Sequence, residues 1–219
     1  MQITGMLWGR KLLDLVEFPH SEVRGPELSV DEIKDMIKRH GQVFIKPLFK
    51  GGVGKKGKSG LLGRVDNITD ALKEKERLYF CEHVDGFNKV KSDGVTYEGA
   101  VPADYEVYFS ITESTEHRSP VMTVTHHGGV DIEELDPEKL AVVPFDPLTG
   151  LKAFHVSNAL MDLGAPPEVI SPLVQNLPKL WDLYNNYGML MLELNPIRMQ
   201  PGKGGRLAPI ACDFKCAFD

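Results

Sequence analysis

The sequence predicts an α+β fold whose sheets are largely antiparallel. Amphipathic helical segments and short apolar strands are mixed along the chain, without the regular strand–helix–strand alternation of a parallel sheet. Strands at 105–111 and 121–125, and again at 189–194 and 206–214, follow each other across polar or glycine-containing connections, as in antiparallel pairs. With 219 residues, 42% of them hydrophobic, the chain is long enough to bury the core of one large domain or two small ones.

Local signals place the elements of the first half of the chain. Ser29 to Glu32 form a capping box before an apolar stripe, so a helix begins there, and Gly41 is a typical helix stop. The elements that follow are expected as a strand at 42–49, a strand at 60–65, a helix at 69–76 and a strand at 78–82. Residues 85–103 are polar and contain glycine, and we expect a long surface insertion there.

The second half of the chain ends in a predicted β-hairpin. Apolar residues at helical spacing predict helices at 152–163 and 168–187. A strand at 189–194, a turn at 201–205 and a return strand at 206–214 then form the hairpin. Both of its arms carry acidic side chains.

Composition excludes several classes of function. A net charge of −6 argues against general nucleic-acid binding, because the positive charge is local. No run of about 18 apolar residues is present, so we expect no membrane-spanning helix, and residues 1–10 do not resemble a signal peptide. Three cysteines cannot build a disulfide framework, which predicts a reducing, cytoplasmic setting.

The segment from Lys50 to Gly60 contains four lysines and five glycines. Gly52, Gly57, Lys58 and Ser59 match the phosphate-binding pattern G-x-x-x-x-G-K-S. That pattern requires a following helix, whereas residues 60–65 contain two glycines and are typical of a strand. We therefore predict the tip of a β-hairpin that covers a phosphate chain with backbone amides and lysines; a P-loop NTPase and a basic loop that docks an acidic partner are the alternatives.

A second chemical feature is an acidic group of residues on the C-terminal hairpin. Glu193 and Asn195 are two residues apart on one arm, so they share a face, and Asp213 lies on the other arm. Carboxylate and amide oxygens suit Mg²⁺, which commonly also takes water and substrate phosphates. Lys46, in the middle of an apolar strand, needs an anionic partner, for which a nucleotide phosphate would serve. Together these features predict binding of a magnesium–nucleoside triphosphate.

An ordered set of short motifs resembles the ATP-grasp acyl-CoA ligases, a family that includes succinyl-CoA synthetase β subunits and ATP-citrate lyases. The resemblance runs from about residue 40 to the end of the chain. The motifs are Val43–Lys46, the glycine–lysine loop, Glu82, Glu106, His126–Glu133, Asp146–Gly150, Glu193–Pro196 and Asp213. Lys46-Pro47, the loop and His126–Asp131 look closer to ATP-citrate lyase, with citryl-CoA or succinyl-CoA synthetase as alternatives.

The resemblance implies an ATP-grasp fold over residues 1–219, in which two α/β lobes grip the nucleotide. The small lobe would span roughly residues 20–80, inserted in the larger one. Glu82 would face the adenine amino group, Glu106 the ribose hydroxyls, and Glu193, Asn195 and Asp213 would hold Mg²⁺. The full set of implied nucleotide-binding residues is Lys46, Gly52, Val53, Gly54, Lys55, Lys56, Gly57, Glu82, His83, Val84, Asp85 and Glu106.

The resemblance also implies the reaction and its partners. ATP would phosphorylate a histidine on a partner CoA-ligase portion, the phosphate would pass to citrate, and CoA would capture the acyl group. Cleavage of citryl-CoA by a citrate-synthase-like portion would then give acetyl-CoA and oxaloacetate. No catalytic residue is expected within this chain. Because it ends at Asp219 without the CoA-ligase-like domain, we expect it to bind nucleotide and not to complete the ligase reaction.

Overall fold

A computed structural model describes residues 1–49, 60–85, 88–129 and 132–219, apart from the side chains at positions 85, 88, 133 and 203. The chain divides into two compact units. The inserted unit is Ser21–Val101, and the main unit combines Met1–His20 with Pro102–Asp219. The candidate loop residues Gly52, Val53, Gly54, Lys55, Lys56 and Gly57 lie outside the described residues.

The two units contain twelve strands and six α-helices within the described ranges. The strands are β1 (Gln2–Thr4), β2 (Val23–Arg24), β3 (Val43–Phe49), β4 (Gly63–Val65), β5 (Glu82–Asp85), β6 (Asn88–Gly99), β7 (Tyr105–Ser114), β8 (Ser119–Thr125), β9 (Ala141–Pro144), β10 (Met189–Pro201), β11 (Leu207–Ala211) and β12 (Lys215–Phe218). The helices are α1 (Met6–Leu13), α2 (Val30–His40), α3 (Ile68–Tyr79), α4 (Ala153–Asp162), α5 (Pro167–Asn176) and α6 (Lys179–Asn186).

The inserted unit is an antiparallel sheet covered by α2 and α3. Its strand order is β2-β6-β3-β4, with β5 paired to β6. Every second residue of β3 is buried, and Ile33, Ile45 and Leu78 are among the core residues with no exposed surface. The predicted capping box is confirmed, because the Glu32 amide donates to Ser29 Oγ and the Ser29 amide donates to Glu32 Oε2.

Glu22, the residue immediately before β2, links that short strand to α2. Its carboxylate accepts hydrogen bonds from Arg24 Nε at 3.1 Å and Arg39 Nη2 at 2.8 Å, and it lies 2.8 Å from His40 Nε2. Partial burial acts to raise the pKa of Glu22, but the hydrogen bonds from His40, Arg39 and Arg24 outweigh it and lower the pKa to about 2.

Two predictions in this unit are wrong. Residues 85–103 are not a surface insertion, because β6 lies inside the sheet and its Val95 and Tyr97 side chains are fully buried. The strand expected at 78–82 is replaced by the end of α3, whose Leu78 packs into the core, and the strand begins only at Glu82. In both cases burial against the sheet decided the structure, and local composition did not reveal it.

The segment after the glycine–lysine loop decides between two interpretations of that loop. β4 pairs with β3 in antiparallel register, with Val43 opposite Val65 and Ile45 opposite Gly63. From Gly60 onwards the described chain passes through this strand before α3 begins at Ile68. A helix that continues directly from the loop, which a P-loop needs, is therefore contradicted.

The main unit is a seven-stranded antiparallel sheet with helices α4 to α6. The strand order is β1-β12-β10-β7-β8-β9, and β11 pairs with the second half of β10, from Ile197 to Pro201. The single helix expected at 168–187 is two helices, because Pro178 lacks an N–H and α6 starts after it. The return strand expected at 206–214 is split in two: β11 pairs with the second half of β10, and after a break at 212–214 the chain continues in the same direction as β12 along the first half of β10.

Within the described ranges, no helix has both the length and the apolar character that crossing a membrane requires. The longest, α3, has 12 residues.

Candidate functional site

The open face of β10 carries three polar residues of the main unit. Leu192 and Leu194 are fully buried, so Glu193 and Asn195 point to the opposite, partly exposed face. The register with β7 shifts between Leu194 and Ile197. After this irregularity Ile197 and Met199 are the buried residues, and Arg198 therefore joins the open face.

Asp213 lies beside the same stretch of β10. The Cys212 amide donates to the Pro196 carbonyl at 3.0 Å, and Lys215 stands opposite Glu193. Asp213 is held between these two contacts, and its Oδ1 accepts from the Phe214 amide at 2.9 Å. These backbone contacts place the segment that carries Asp213 beside residues 193–196 of β10.

A two-glycine turn after β8 connects β7 with β10. The Gly128 amide donates to the Glu106 carbonyl at 2.7 Å, and the Gly129 amide donates to Asn195 Oδ1 at 2.9 Å. Glycine is needed at both positions, because a Cβ at Gly128 would lie 2.5 Å from the Val107 carbonyl carbon and one at Gly129 would overlap Glu106 Oε2. The turn thus fixes the orientation of the Asn195 amide.

Glu106 and Arg198 form a cross-strand ion pair. The two residues are directly opposite on β7 and β10. Arg198 Nε donates to Glu106 Oε1 at 2.8 Å, and Arg198 Nη2 lies 2.7 Å from the same oxygen. Both side chains are about 30% exposed (29% and 30%), so the pair lies at the open face of the sheet.

Glu106 lines a cavity of about 450 Å³ in the main unit. The other lining residues are Asp104, Tyr105, His126, His127, Gly128, Gly164 and Pro166. The two histidine rings lie with their centroids 4.2 Å apart. Partial burial, and then the neighbouring His127, lower the pKa of His126, so the neutral imidazole is favoured.

Glu193 contacts a tyrosine that sequence reasoning missed. Tyr108 is on β7, and its hydroxyl donates to Glu193 Oε2 at 3.3 Å. Burial of the phenol, and also the charge of Glu193, raise the pKa of Tyr108 to about 12. The hydroxyl therefore stays protonated and remains a hydrogen-bond donor to the carboxylate at neutral pH.

Glu193, Asn195 and Asp213 offer carboxylate and amide oxygens, the donor types that a magnesium ion binds. Glu193, Asn195 and Asp213 each accept a hydrogen bond from a protein donor and are partly exposed. Two carboxylates and an amide oxygen leave positions for water and phosphate, which Mg²⁺ prefers to retain. Over the described parts of the chain, no group of three or more His, Cys, Asp or Glu side chains forms a complete metal site.

In the inserted unit, Lys46 has an anionic protein partner. Its Nζ lies 2.6 Å from Glu98 Oε2, on the adjacent strand β6. The Glu98 side chain is only 6% exposed and that of Lys46 20% exposed. The sequence predicted that Lys46 needs a negative charge but did not reveal Glu98, because residues 85–103 resemble a surface insertion.

The candidate adenine residues Glu82 to Asp85 form β5, at the margin of the inserted unit. Glu82 Oε2 lies 2.5 Å from Lys89 Nζ, and this hydrogen bond lowers the pKa of Glu82. The His83 ring is tilted against that of Phe49 with ring centroids 6.1 Å apart, whereas Val84 is 63% exposed. The Asp85 side chain lies outside the described part of the structure.

Comparison with known proteins identifies a family model. The description of that model is ATP-grasp domain, and it matches residues 16–199. The β subunit of the ADP-forming succinate–CoA ligase of Desulfatibacillum aliphaticivorans is 30% identical over 200 residues, which are 89% of this chain and 51% of that protein. The same subunit from a Nitratiruptor species is 29% identical over 93% of this chain and 52% of its own length. The chain therefore spans about half the length of these curated relatives.

Solved structures share the fold at low sequence identity. ATP citrate lyase from Methanothrix soehngenii, in complex with citrate and coenzyme A, matches with a TM-score of 0.68 and 19% identity over 100% of this chain and 52% of that one. Acetyl-coenzyme A synthetase 1 of Ca. Korarchaeum cryptofilum, in complex with coenzyme A and Ca-AMPCP, matches with a TM-score of 0.73 and 14% identity over 100% of this chain and 93% of that one.

Proposed function

The chain belongs to the ATP-grasp family, and from this premise we propose that it binds a magnesium–nucleoside triphosphate as the nucleotide-binding part of an ATP-dependent acyl-CoA ligase. One observation supports the proposal above all others. Glu193 and Asn195 share the open face of β10, Asp213 lies on the segment beside them, and each of the three accepts a hydrogen bond from the protein. Preorganised oxygen donors of this kind reduce the cost of holding a hydrated divalent cation.

We assign the following roles within this proposal. Glu193, Asn195 and Asp213 would hold Mg²⁺, which when bound neutralises phosphate charge. Lys46 and the glycine–lysine loop, with Gly52 to Gly57, would bind the phosphates. Glu106 would accept from the ribose hydroxyls, and Glu82 to Asp85 would contact the adenine.

Lys46 can bind a phosphate although Glu98 already neutralises part of its charge. An ammonium has three donor hydrogens, so it can keep its bond to Glu98 and still donate to a phosphate oxygen. The short contact to Glu98 holds the lysine side chain in one orientation before nucleotide arrives. Less side-chain entropy is then lost on binding.

The specific reaction that we propose is that of ATP-citrate lyase. In it, nucleotide bound to this chain phosphorylates a histidine of a partner portion, citrate receives the phosphate, and CoA takes up the citryl group. The motifs at Lys46-Pro47 and His126–Asp131 support this choice, as does the shared fold with an ATP citrate lyase. The curated succinate–CoA ligase β subunits favour a second candidate, in which succinate is the acid.

A binding experiment with a matched control tests the nucleotide function. Calorimetry with ADP should give binding that strengthens when Mg²⁺ is added. Asp213→Asn keeps an acceptor for the Phe214 amide but removes one negative charge, so we expect the gain from Mg²⁺ to fall about tenfold or more. Asp219→Asn, an exposed residue that follows β12, should retain the full gain.

The two candidate acids are separated by a second measurement. The protein is incubated together with its partner CoA-ligase portion, ATP, CoA and either citrate or succinate, and ADP release is followed. Release that depends on citrate supports the lyase assignment, and release that depends on succinate replaces it. If wild-type protein binds no nucleotide but binds an acidic protein in a salt-sensitive way, the ligase proposal is wrong.

A further inference from the structure

Two residues without a role in the proposed assignment enclose the carboxylate of Glu106. Arg198 directs Nε and Nη2 to the same oxygen, Oε1, at 2.8 and 2.7 Å. Gly129 lies against the other oxygen, Oε2, so closely that a Cβ there would overlap it. Oε1 therefore accepts from the Arg198 guanidinium, whereas Oε2 lies next to Gly129.

We propose that Arg198 and Gly129 are positioning residues that hold Glu106 so that Oε2 accepts hydrogen bonds from the vicinal hydroxyls of a nucleotide ribose. The inference rests on the proposed nucleotide-binding function and deepens it. It makes the pair Glu106–Arg198 the part of the chain that distinguishes a ribonucleotide from a nucleotide without ribose hydroxyls.

The contribution of Arg198 follows from the irregularity in β10. Regular alternation would turn residue 198 away from the face that carries Glu193 and Asn195. The register shift between Leu194 and Ile197 instead places Arg198 directly opposite Glu106. A guanidinium there pairs with the carboxylate and restricts its rotation, because two donors of a rigid group share one oxygen.

The contribution of Gly129 follows from its backbone. Its φ is +74°, in the region that favours glycine, and its amide donates to Asn195 Oδ1. One residue therefore both leaves room for Glu106 Oε2 and orients a proposed metal ligand. Any larger residue must displace the carboxylate, since the position of a Cβ is already taken.

The chemistry of the cavity favours a hydroxylated ligand over an anion at this point. Asp104 and Glu106 both line the cavity of about 450 Å³, so a phosphate placed there would meet like charge. A neutral diol instead donates hydrogen bonds to an ionised carboxylate, which are stronger than those between neutral groups. The side chains of Tyr105 and His127 in the same wall offer flat surfaces for the apolar parts of a nucleoside.

The test compares two ligands, Mg-ADP and Mg-2′,3′-dideoxy-ADP, by calorimetry on the intact chain. Wild type should prefer ADP by about tenfold or more, as expected for hydrogen bonds to a charged group. Arg198→Met should lose most of this preference by weakening ADP while the affinity for dideoxy-ADP stays the same. Arg198→Lys should keep part of it, and Arg206→Met, which removes an exposed arginine from the same hairpin, should keep all of it.

A second pair of variants tests the glycine. Gly129→Ala should lose the preference for ADP, whereas Gly188→Ala should not, because Gly188 also has a positive φ of 58° but nothing within 4 Å of its Cβ position. This comparison remains decisive if Arg198→Met does not fold.

Three results would overturn the inference. The first is equal weakening of ADP and dideoxy-ADP by Arg198→Met, which would mean a structural role alone. The second is wild-type protein that binds both ligands equally well. The third, wild-type protein that binds neither, would instead refute the proposed nucleotide function and remove the inference with it.

Discussion

Replacing Lys46 with methionine removes the ammonium that lies 2.6 Å from the Glu98 carboxylate. Methionine keeps most of the aliphatic volume, so the change isolates the charge. The sequence alone suggests that this lysine serves a ligand, in which case its loss would leave the fold intact. The structure predicts a different outcome, because the lysine also neutralises a carboxylate that is only 6% exposed.

The magnitude follows from burial and distance. At an effective dielectric constant of about 20, two unit charges 2.6 Å apart attract by roughly 6 kcal/mol, most of which offsets desolvation. Removing one partner of a buried pair costs about 3–5 kcal/mol. Because the Lys46 side chain is 20% exposed, we expect the lower end, about 3 kcal/mol. For a chain of this size that corresponds to a fall of about 6–12 °C in Tm.

Thermal unfolding followed by circular dichroism measures the effect. Lys73→Met is the matched control, since Lys73 is 72% exposed and lies 3.5 Å from an exposed Asp70. The double variant Lys46→Met/Glu98→Gln should be more stable than Lys46→Met alone, because the carboxylate charge is removed too. The reasoning is refuted if Lys46→Met is no less stable than the control. It is also refuted if the loss of unfolding free energy in the double variant equals the sum of the losses in Lys46→Met and Glu98→Gln measured separately.

Three further predictions concern stability. Gly9→Ala places a methyl group 2.5 Å from Phe214 Cγ, and we expect overpacking of about 1–3 kcal/mol to exceed the helix-propensity gain; a higher denaturant midpoint would contradict this. Tyr108, with a pKa of about 12 against about 10 when unfolded, should cost stability as the pH rises from 10 to 12, because the unfolded chain ionises first; Tyr108→Phe should flatten that part of the curve in alkaline unfolding. Glu22, with a pKa lowered from 4.5 to about 2, stabilises the folded state above pH 4.5 and loses that effect as the pH falls to 2. Glu22→Gln should therefore reduce the dependence of stability on pH in this range, and an unchanged acid profile would show that the hydrogen bonds to Glu22 do not stabilise the folded state.

Short-range sequence signals predicted the ends of α2 and the strand that follows the glycine–lysine loop. The capping box at Ser29 and the stop at Gly41 define α2 as expected, and the strand predicted at 60–65 is present over Gly63–Val65. The α+β class, the largely antiparallel sheets and the ATP-grasp fold are confirmed. The helix ends depend on a few neighbouring residues, which is why a single sequence contains them, whereas the ATP-grasp fold was inferred from the ordered motifs that resemble that family.

Register and cross-strand partners were not predictable. Pro196, which cannot donate to a sheet ladder, signals an irregularity in this strand but not how the register to β7 shifts, and so Arg198 was not recognised as the partner of Glu106. Glu98 was missed for a related reason, because its polar segment is typical of a surface loop until the sheet around it is known. Such contacts depend on which strands pair, and pairing is a property of the whole sheet.

Binding of nucleotide with the help of a divalent cation is the property on which every role assigned to this chain depends. Calorimetric titration of the wild-type protein with ADP, with and without Mg²⁺, tests it most directly. We predict measurable binding at millimolar ADP that becomes about tenfold or more tighter when Mg²⁺ is present. Absence of heat under both conditions, or affinity for ADP that does not respond to Mg²⁺, would contradict the account.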